Sequence, residues 1–326
     1  MRRRLPPALV LFVVAPVFGE VFSGSTRITD FINPVTFLTE ALLYGCGAIL
    51  VRELVLRWRK GWPSLLLLGC AYGIYEEGLV VQSFFDPTWH DLGALAVYGR
   101  LWGVNWVWAE HLTIYHAVIS ILASIVFVQA LYPDRRADSW VPTRRWLIVN
   151  WIGFLSVFAL WSALTKYDAG WWRPVSGLAI VALAVAARLA PASPLPPRDR
   201  RVPRPWRFWV LGFVGMFGQF VLIYSVSNTA AWPFEILMPA VLGYDLLILG
   251  LVLRWSGNAA AWDDRHRVAL VGGALSLMLA FAPLTVGARY PVLYFSNPVF
   301  LLLLWLAAWR IGRRTVAAAP ALSRAP

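Results

Sequence analysis

Five ionisable side chains, Glu76, Glu77, Glu110, His111 and His116, lie in two neighbouring stretches, AYGIYEEGLVVQSFF (71–85) and VNWVWAEHLTIYHAVIS (104–120), that are otherwise apolar enough to cross a bilayer. An ionisable group at that depth is costly and marks a functional site by default. Carboxylates and imidazoles together can activate water, relay protons or hold a metal ion. Glu76, Glu77, His111 and His116 are therefore the candidate catalytic residues, and Glu110, Glu40, Asn105 and Tyr72 are further polar candidates.

Helical spacing sets what these residues can share. Glu76 and Glu77 are consecutive, so a regular helix turns them about 100° apart and they do not point in one direction. Glu76 falls on a face with Gly69, Tyr72, Gly73 and Ser83, and the Gly69–Gly73 pair lets another helix approach closely. His116 shares a stripe with Asn105, Thr113, Ser120 and Ser124, with Glu110 at its edge, whereas His111 lies on another face with Tyr115 and Gln129. The histidines are not at the i, i+4 spacing of two ligands on one face, so a metal would need Glu76 or Glu77 from the preceding helix. At ~1.5 Å per residue, Glu77 and His111 lie roughly 10 Å below the ends of their spans and Glu40 about 9 Å, with Glu20 and Glu235 within about 5 Å of the same surface. Each residue also has a structural reading. The Glu pair can be hydrogen-bonded to Tyr, Ser or backbone, Glu110 can snorkel, and Glu40 and Glu235 suit the first turns of helices. Arg52 and Glu53 can pair near the inner end, and Asp245 sits mid-span with no identifiable partner.

The elements that hold these residues follow from composition. The chain has 326 residues, 59% hydrophobic and 14% charged, against about 25% charged in a soluble domain. It reads as an all-α, polytopic integral membrane bundle with little length left for a soluble domain. Ten segments are long enough to span, at 5–22, 34–56, 62–84, 104–131, 146–164, 171–189, 208–227, 232–253, 268–286 and 292–309. Many of the 19 Trp fall near predicted helix ends, as in interfacial belts. Of 29 Lys and Arg, 23 fall in alternate loops on one side and five on the other, with Arg52 inside a span. The positive-inside rule then places both termini in the cytoplasm, with a bacterial or archaeal plasma membrane as the expected location. The start, MRRRLPPALVLFVVAPVF, resembles a signal peptide, but no small-x-small site follows and Glu20 comes directly after the core, so it reads as a retained helix.

A net charge of +12 could serve nucleic acid, but the arginines sit in short interhelical loops that the topology accounts for, and no nucleic-acid partner is expected. The expected partners are the lipid bilayer and, at the basic loops, anionic headgroups. The segment 191–207, with six Pro and five Arg, reads as an extended cytoplasmic linker. It divides an N-terminal six-helix bundle (1–190), which carries the polar site, from a four-helix bundle (208–310) and a flexible tail (311–326). The long external loop 85–103 carries Trp89, Leu92, Leu95, Ala96, Leu101 and Trp102, which suit a short interfacial helix above the two polar segments. Cys46 and Cys70 fall inside spans as small apolar residues, with no disulfide framework or zinc spacing.

Glu76 and Glu77 near the end of a glycine-containing span, followed by a helix bearing His111 and His116, resemble the CPBP family, the type II CAAX-processing and bacteriocin-associated intramembrane proteases. That family carries Glu-Glu-x-x-x-Arg, Phe-x-x-x-His and His-x-x-x-Asn on a core of about eight helices. Here Val81 stands at the arginine position, Val107 and Leu112 precede the histidines where Phe is expected, Ser120 follows His116, and both histidines share one helix. The resemblance spans about residues 69–120. It implies a glutamate that activates water for attack on a peptide carbonyl, with histidine stabilising the oxyanion or ligating a metal.

Three functions fit. The first is an intramembrane hydrolase with Glu76 or Glu77 as base and His111 or His116 as partner, for which a divalent metal is a compatible cofactor. The second is a proton- or cation-coupled transporter for a small solute or lipid. The third is a non-catalytic scaffold. The sequence shows no Gly-rich nucleotide loop, Cys-based haem motif or Ser-His-Asp order, which argues against ATP-driven transport by this chain alone.

Overall fold

Capping side chains fix several helix starts. Asn33 Oδ1 accepts from Val35 N at 2.9 Å just before Pro34, and Asn105 Oδ1 accepts from Trp108 N at 2.9 Å just before Trp106. Thr143 and Asp263 cap two later helices in the same way. Each supplies an acceptor to an otherwise orphaned first-turn amide. The computed structural model describes residues 5–193, 201–257 and 261–318, and the helices these caps begin form an all-α polytopic membrane bundle.

Among the described residues there are ten principal helices: α1 (Pro7–Val21), α2 (Pro34–Arg57), α3 (62–80), α4 (Trp106–Leu131), α5 (Arg144–Leu164), α6 (Trp172–Leu189), α7 (Pro205–Thr229), α8 (Phe234–Ser256), α9 (Asp264–Val286) and α10 (Leu293–Ala318). Among the described residues, eight are long and apolar enough to cross a membrane. The others are α1, which is short, and α3, which carries Glu76 and Glu77. The ten match the ten expected segments in order.

Two helix ends and one loop differ from expectation in ways that bear on the site or the packing. Helix α3 ends at Val80 rather than Phe84, because the chain turns at Gln82 (φ 60°), whose buried side chain accepts from Ala169 N at 2.9 Å. Glu77 is therefore about one turn from the helix end and not two. Helix α10 runs past residue 310 to Ala318, since Ile311 is buried in the apolar cluster around α9. The external loop forms no interfacial helix. It folds as one 3₁₀ turn (Gly93–Ala96) and a two-residue hairpin pairing Arg100–Leu101 with Val104–Asn105. Leu92 and Leu95 point inward and pack with Phe84, Val107 and Trp108, while Trp102 is exposed. Residues 194–200 of the expected linker, 319–326 of the expected tail and the first basic cluster, Arg2 to Arg4, lie outside the described residues.

Helix α4 is the axis. Ile121, Ile125 and Val128 on one face join the core of α1, α2, α3 and α5. Ile119, Ala123 and Phe127 on another join the core of α7, α9 and α10. Helices α5, α6, α8 and α10 are mostly exposed and apolar, with Ile152, Leu178, Leu246 and Leu303 outward, as lipid-facing helices should be. Close helix contact uses small residues. Ala117 of α4 packs over Gly69 of α3, and on α7 a Cβ at Gly212 would sit 2.0 Å from Leu270 O of α9. At the arginine-rich end, Arg52 and Glu53 are both buried and pair at 2.6 Å, and Trp140 N donates to Glu53 at 2.9 Å. Arg136 reaches Asp264 at the start of α9, which ties the segment between α4 and α5 to α9.

Candidate functional site

Five helices depart from regular geometry. Wide π-turns occur at Val17–Val21 in α1, Ala41–Gly45 in α2, Tyr75–Val80 in α3, His116–Ala123 in α4 and Val221–Ser225 in α7. The bonds run five residues back, as from Val81 N to Glu76 O (2.9 Å) and Phe22 N to Val17 O (3.0 Å). Such turns are rare and concentrate at functional sites. Here they carry Glu20, Tyr44, Glu76, Glu77, His116, Ser120 and Tyr224, and Glu20, Tyr44, Glu76, Glu77, His116 and Tyr224 line one cavity of about 740 Å³.

His116 is the hub. Its Nε2 lies 3.0 Å from Glu77 Oε1, and its Nδ1 lies 3.0 Å from Ser120 Oγ and 3.2 Å from Glu76 Oε2. Glu76, Glu77 and His116 are 4%, 7% and 3% exposed. The two glutamates, expected to diverge by helical angle, reach the same imidazole for two reasons. The π-turn alters their angular spacing, and the ring presents a nitrogen to each. Ser83, expected on the face of Glu76, instead donates to Glu77 Oε2 and accepts from Trp108 Nε1 at 3.0 Å. Glu76 Oε1 is bonded by the Tyr44 hydroxyl, which also bonds Glu20. Thr26 Oγ1 then bridges Glu20 (3.1 Å) and Glu40 (2.7 Å), so a run of hydroxyls and carboxyls connects the centre to the loop between α1 and α2. Glu76 Oε2 makes an ionic contact with His116 but is left without a well-formed hydrogen bond, as is the buried hydroxyl of Tyr72, which neighbours Glu76.

The other candidates separate from this centre. His111 lines the same cavity but faces α7, with Nε2 3.4 Å from Tyr224 Oη and its ring edge-on to Phe220. Glu110 does not line the cavity. It lies toward α8, where Asp245, which has no identifiable partner in the sequence, accepts from Gln219 at 3.0 Å. Asn105 is a structural cap whose side chain bonds Leu95 O, Tyr98 O and Trp108 N. Tyr72 packs its ring 6.1 Å from that of His116, and Glu40 is the far member of the carboxyl run. Helical depth alone sets Glu20 near the surface without assigning it to the site, and it does not single out Tyr44. Tyr44 stands four residues after Glu40, on the same side of α2, and that spacing is the one signal that could have found it.

The cavity is acidic. Its described lining includes Glu20, Glu40, Glu76, Glu77 and Asp91 against one arginine, Arg289. Exposed residues at the arginine-poor end line it too, among them the loop residues Ser25 and His90 and Asn228 in the last turn of α7. Glu76, Glu77 and His116 each offer a donor atom within 4.8 Å of the others, the arrangement of a three-ligand metal site. The geometry thus provides a clamped imidazole, a carboxylate oxygen free to accept a proton, and room for a substrate beside them.

In comparisons with known proteins, an uncharacterized membrane protein family matches residues 9–190, a stretch that includes Glu20, Tyr44, Glu76, Glu77, His111 and His116. No curated protein and no solved structure matches.

Proposed function

The chain belongs to this uncharacterized membrane protein family, and we propose that within it the chain acts as an intramembrane hydrolase of acyl bonds, in the manner the CPBP resemblance implies. The observation that carries the reading is the Glu77–His116–Glu76 contact at 3.0 and 3.2 Å on the wall of a large cavity. Glu77 holds the ring through Nε2, as the orienting acid of a catalytic triad does. Glu76 Oε2, without a hydrogen-bond donor of its own, is the base. Water bound on the cavity side of Glu76 Oε2 gives its proton to the carboxylate as its oxygen bonds the carbonyl carbon. That proton passes to the departing amine or alkoxide as the acyl bond breaks.

The charge distribution supports placing the arginine-rich loops and both termini in the cytoplasm, so that the cavity opens outward to a membrane-embedded or external substrate. The family match ends at residue 190, which supports a division into a site-bearing bundle and a C-terminal bundle, although α7 and α9 also wall the cavity.

The test is cleavage of a panel of fluorogenic membrane-embedded peptides and esters by the purified chain in proteoliposomes. Glu76→Gln should lower turnover by about 10²–10⁴-fold, the usual contribution of a general base. Undiminished turnover in that variant would remove Glu76 from the mechanism. A proton- or cation-coupled permease is the second reading, favoured by the carboxyl run from Glu40 through Glu20 to Glu76. Gradient-driven uptake of a small solute without cleavage of any panel member would select it.

A further inference from the structure

We propose that Glu76, Glu77 and His116 are the protein ligands of one divalent cation of the zinc class. The ion's catalytic use rests on the hydrolase reading, in which it would take over the activation of water from Glu76, but its binding does not rest on that reading.

Each of the three side chains has one polar atom held by an outer partner, and the imidazole presents one nitrogen to each carboxylate. Glu76 Oε1 is bonded by Tyr44, leaving Oε2 without a hydrogen-bond partner. Glu77 Oε2 is bonded by Ser83, which Trp108 holds in turn, leaving Oε1 toward the ring. His116 Nδ1 is 3.0 Å from Ser120 Oγ and 3.2 Å from Glu76 Oε2, and Nε2 is 3.0 Å from Glu77 Oε1. Outer partners of this kind fix the tautomer of a ligating histidine and the orientation of ligating carboxylates. The candidate set is therefore one imidazole nitrogen and one oxygen of each carboxylate. Bonds of about 2.0–2.2 Å to a tetrahedral ion place donors roughly 3.3 Å apart. The Nε2–Oε1 separation is already 3.0 Å, and a donor from each residue lies within 4.8 Å of the others, so side-chain rotation is enough to close the set.

Charge balance points the same way. Glu20, Glu76 and Glu77 are gathered around one imidazole, and Arg289 is the one arginine among the described cavity-lining residues. Buried anions need a proton, a paired cation or a metal. Tyr44 has one hydroxyl hydrogen for two carboxyl neighbours and does not meet that need alone. Two carboxylates and an imidazole suit zinc, cobalt or manganese better than magnesium or calcium, which prefer all-oxygen shells. A three-residue set leaves a fourth position for water, on the cavity side.

The experiment is titration of chelator-stripped, detergent-solubilised full chain with Co²⁺, read by its visible ligand-field band, with Zn²⁺ as competitor. One equivalent should bind and be displaced by Zn²⁺. Glu77→Gln and His116→Ala should lose the band, whereas Asp245→Asn, outside the cavity, should retain it. Ser120→Ala keeps all three ligands and should weaken affinity by about 10–100-fold, which gives a readout if a ligand variant does not fold. Absence of saturable binding to the wild type, or unchanged binding in folded Glu77→Gln, overturns the site. Full cleavage by stripped wild type overturns the metal's catalytic use and leaves the hydrolase reading intact. One bound equivalent without cleavage of any substrate does the reverse.

Discussion

Tyr44 and Glu76, thirty-two residues apart in the chain, are joined by a hydrogen bond in the bundle interior, and the same hydroxyl bonds Glu20. One phenol therefore sets the position of the carboxylate proposed as base. Tyr44→Phe keeps the ring, which packs 5.9 Å from that of Tyr72, and removes only the hydroxyl with its bonds to Glu76 and Glu20. A hydrogen bond to a charged group is worth about 1.5–3 kcal/mol. Turnover should fall by roughly 10–100-fold while the chain stays folded, measured by peptide cleavage beside size-exclusion profile and thermal midpoint. Wild-type turnover in Tyr44→Phe would show that Glu76 is positioned without it.

The arginine-rich end makes a separate prediction about stability. Glu53 is fully buried and takes Arg52 at 2.6 Å, Ser139 at 2.6 Å and Trp140 N at 2.9 Å. Arg52 lies 3.6 Å over the Trp140 ring and donates to the carbonyls of Arg136 and Asp138. Glu53→Ala would leave a buried guanidinium without its counter-ion, a loss of about 3–5 kcal/mol. Thermal unfolding in detergent should show a clearly lowered midpoint, with any surviving folded protein retaining Co²⁺ binding, because the clamp lies at the opposite end of α2 from Glu40.

These two residues show what is legible in the sequence. Glu53 and Arg52 stand out because charges in an apolar run are conspicuous, and the same reasoning finds Glu76, Glu77 and His116. The ten helices are legible because an apolar run near twenty residues matches the length needed to cross a bilayer and exceeds that of an ordinary strand. Tyr44 is not, since a tyrosine among Leu and Gly looks like ordinary packing. Ser83 falls on the wrong face of a regular helix because the helix ends at Val80 and the chain turns at Gln82 before reaching it, which helical periodicity does not show. Leu92 and Leu95 are recognisably apolar, but nothing in their spacing tells whether lipid or protein covers them.

Asp263 carries a pH dependence outside the membrane. It caps α9, accepting from Arg265 N at 3.0 Å and from the Arg265 guanidinium at 2.8 Å, with His266 Nδ1 also 2.8 Å away. Partial burial alone would raise its pKa, but the bonds and charges of Arg265 and His266 outweigh that and hold it below the usual carboxylate value. A group whose folded pKa is depressed stabilises the fold above its unfolded pKa and loses that contribution as pH falls through the folded value. The thermal midpoint of the wild type should therefore drop as pH falls below about 4. Asp263→Asn keeps the cap without the charge and should show less of that drop. Asp263→Ala should cost about 1 kcal/mol at neutral pH through the lost cap.

Gly73 links packing to the site most directly. A Cβ there would lie 3.0 Å from Thr113 Cα and 3.2 Å from His116 Cβ, so relief requires α3 and α4 to separate or His116 to move. Neither contact is the free end of a flexible chain. Because His116 meets Glu76 and Glu77 across this interface, a shift of a few tenths of an ångström lengthens those contacts. Gly73→Ala should therefore weaken Co²⁺ binding and reduce cleavage by about tenfold or more, since misplacement far smaller than a bond length matters in such sites. Gly177→Ala on α6, where nothing lies within 4 Å, is the control. It should leave both readouts unchanged and, through helix propensity, stabilise slightly, by up to about 1 kcal/mol. Equal loss in the two variants would mean that glycine replacement perturbs the bundle generally. Loss in Gly73→Ala alone would tie the α3–α4 approach to the geometry of the Glu76–Glu77–His116 centre.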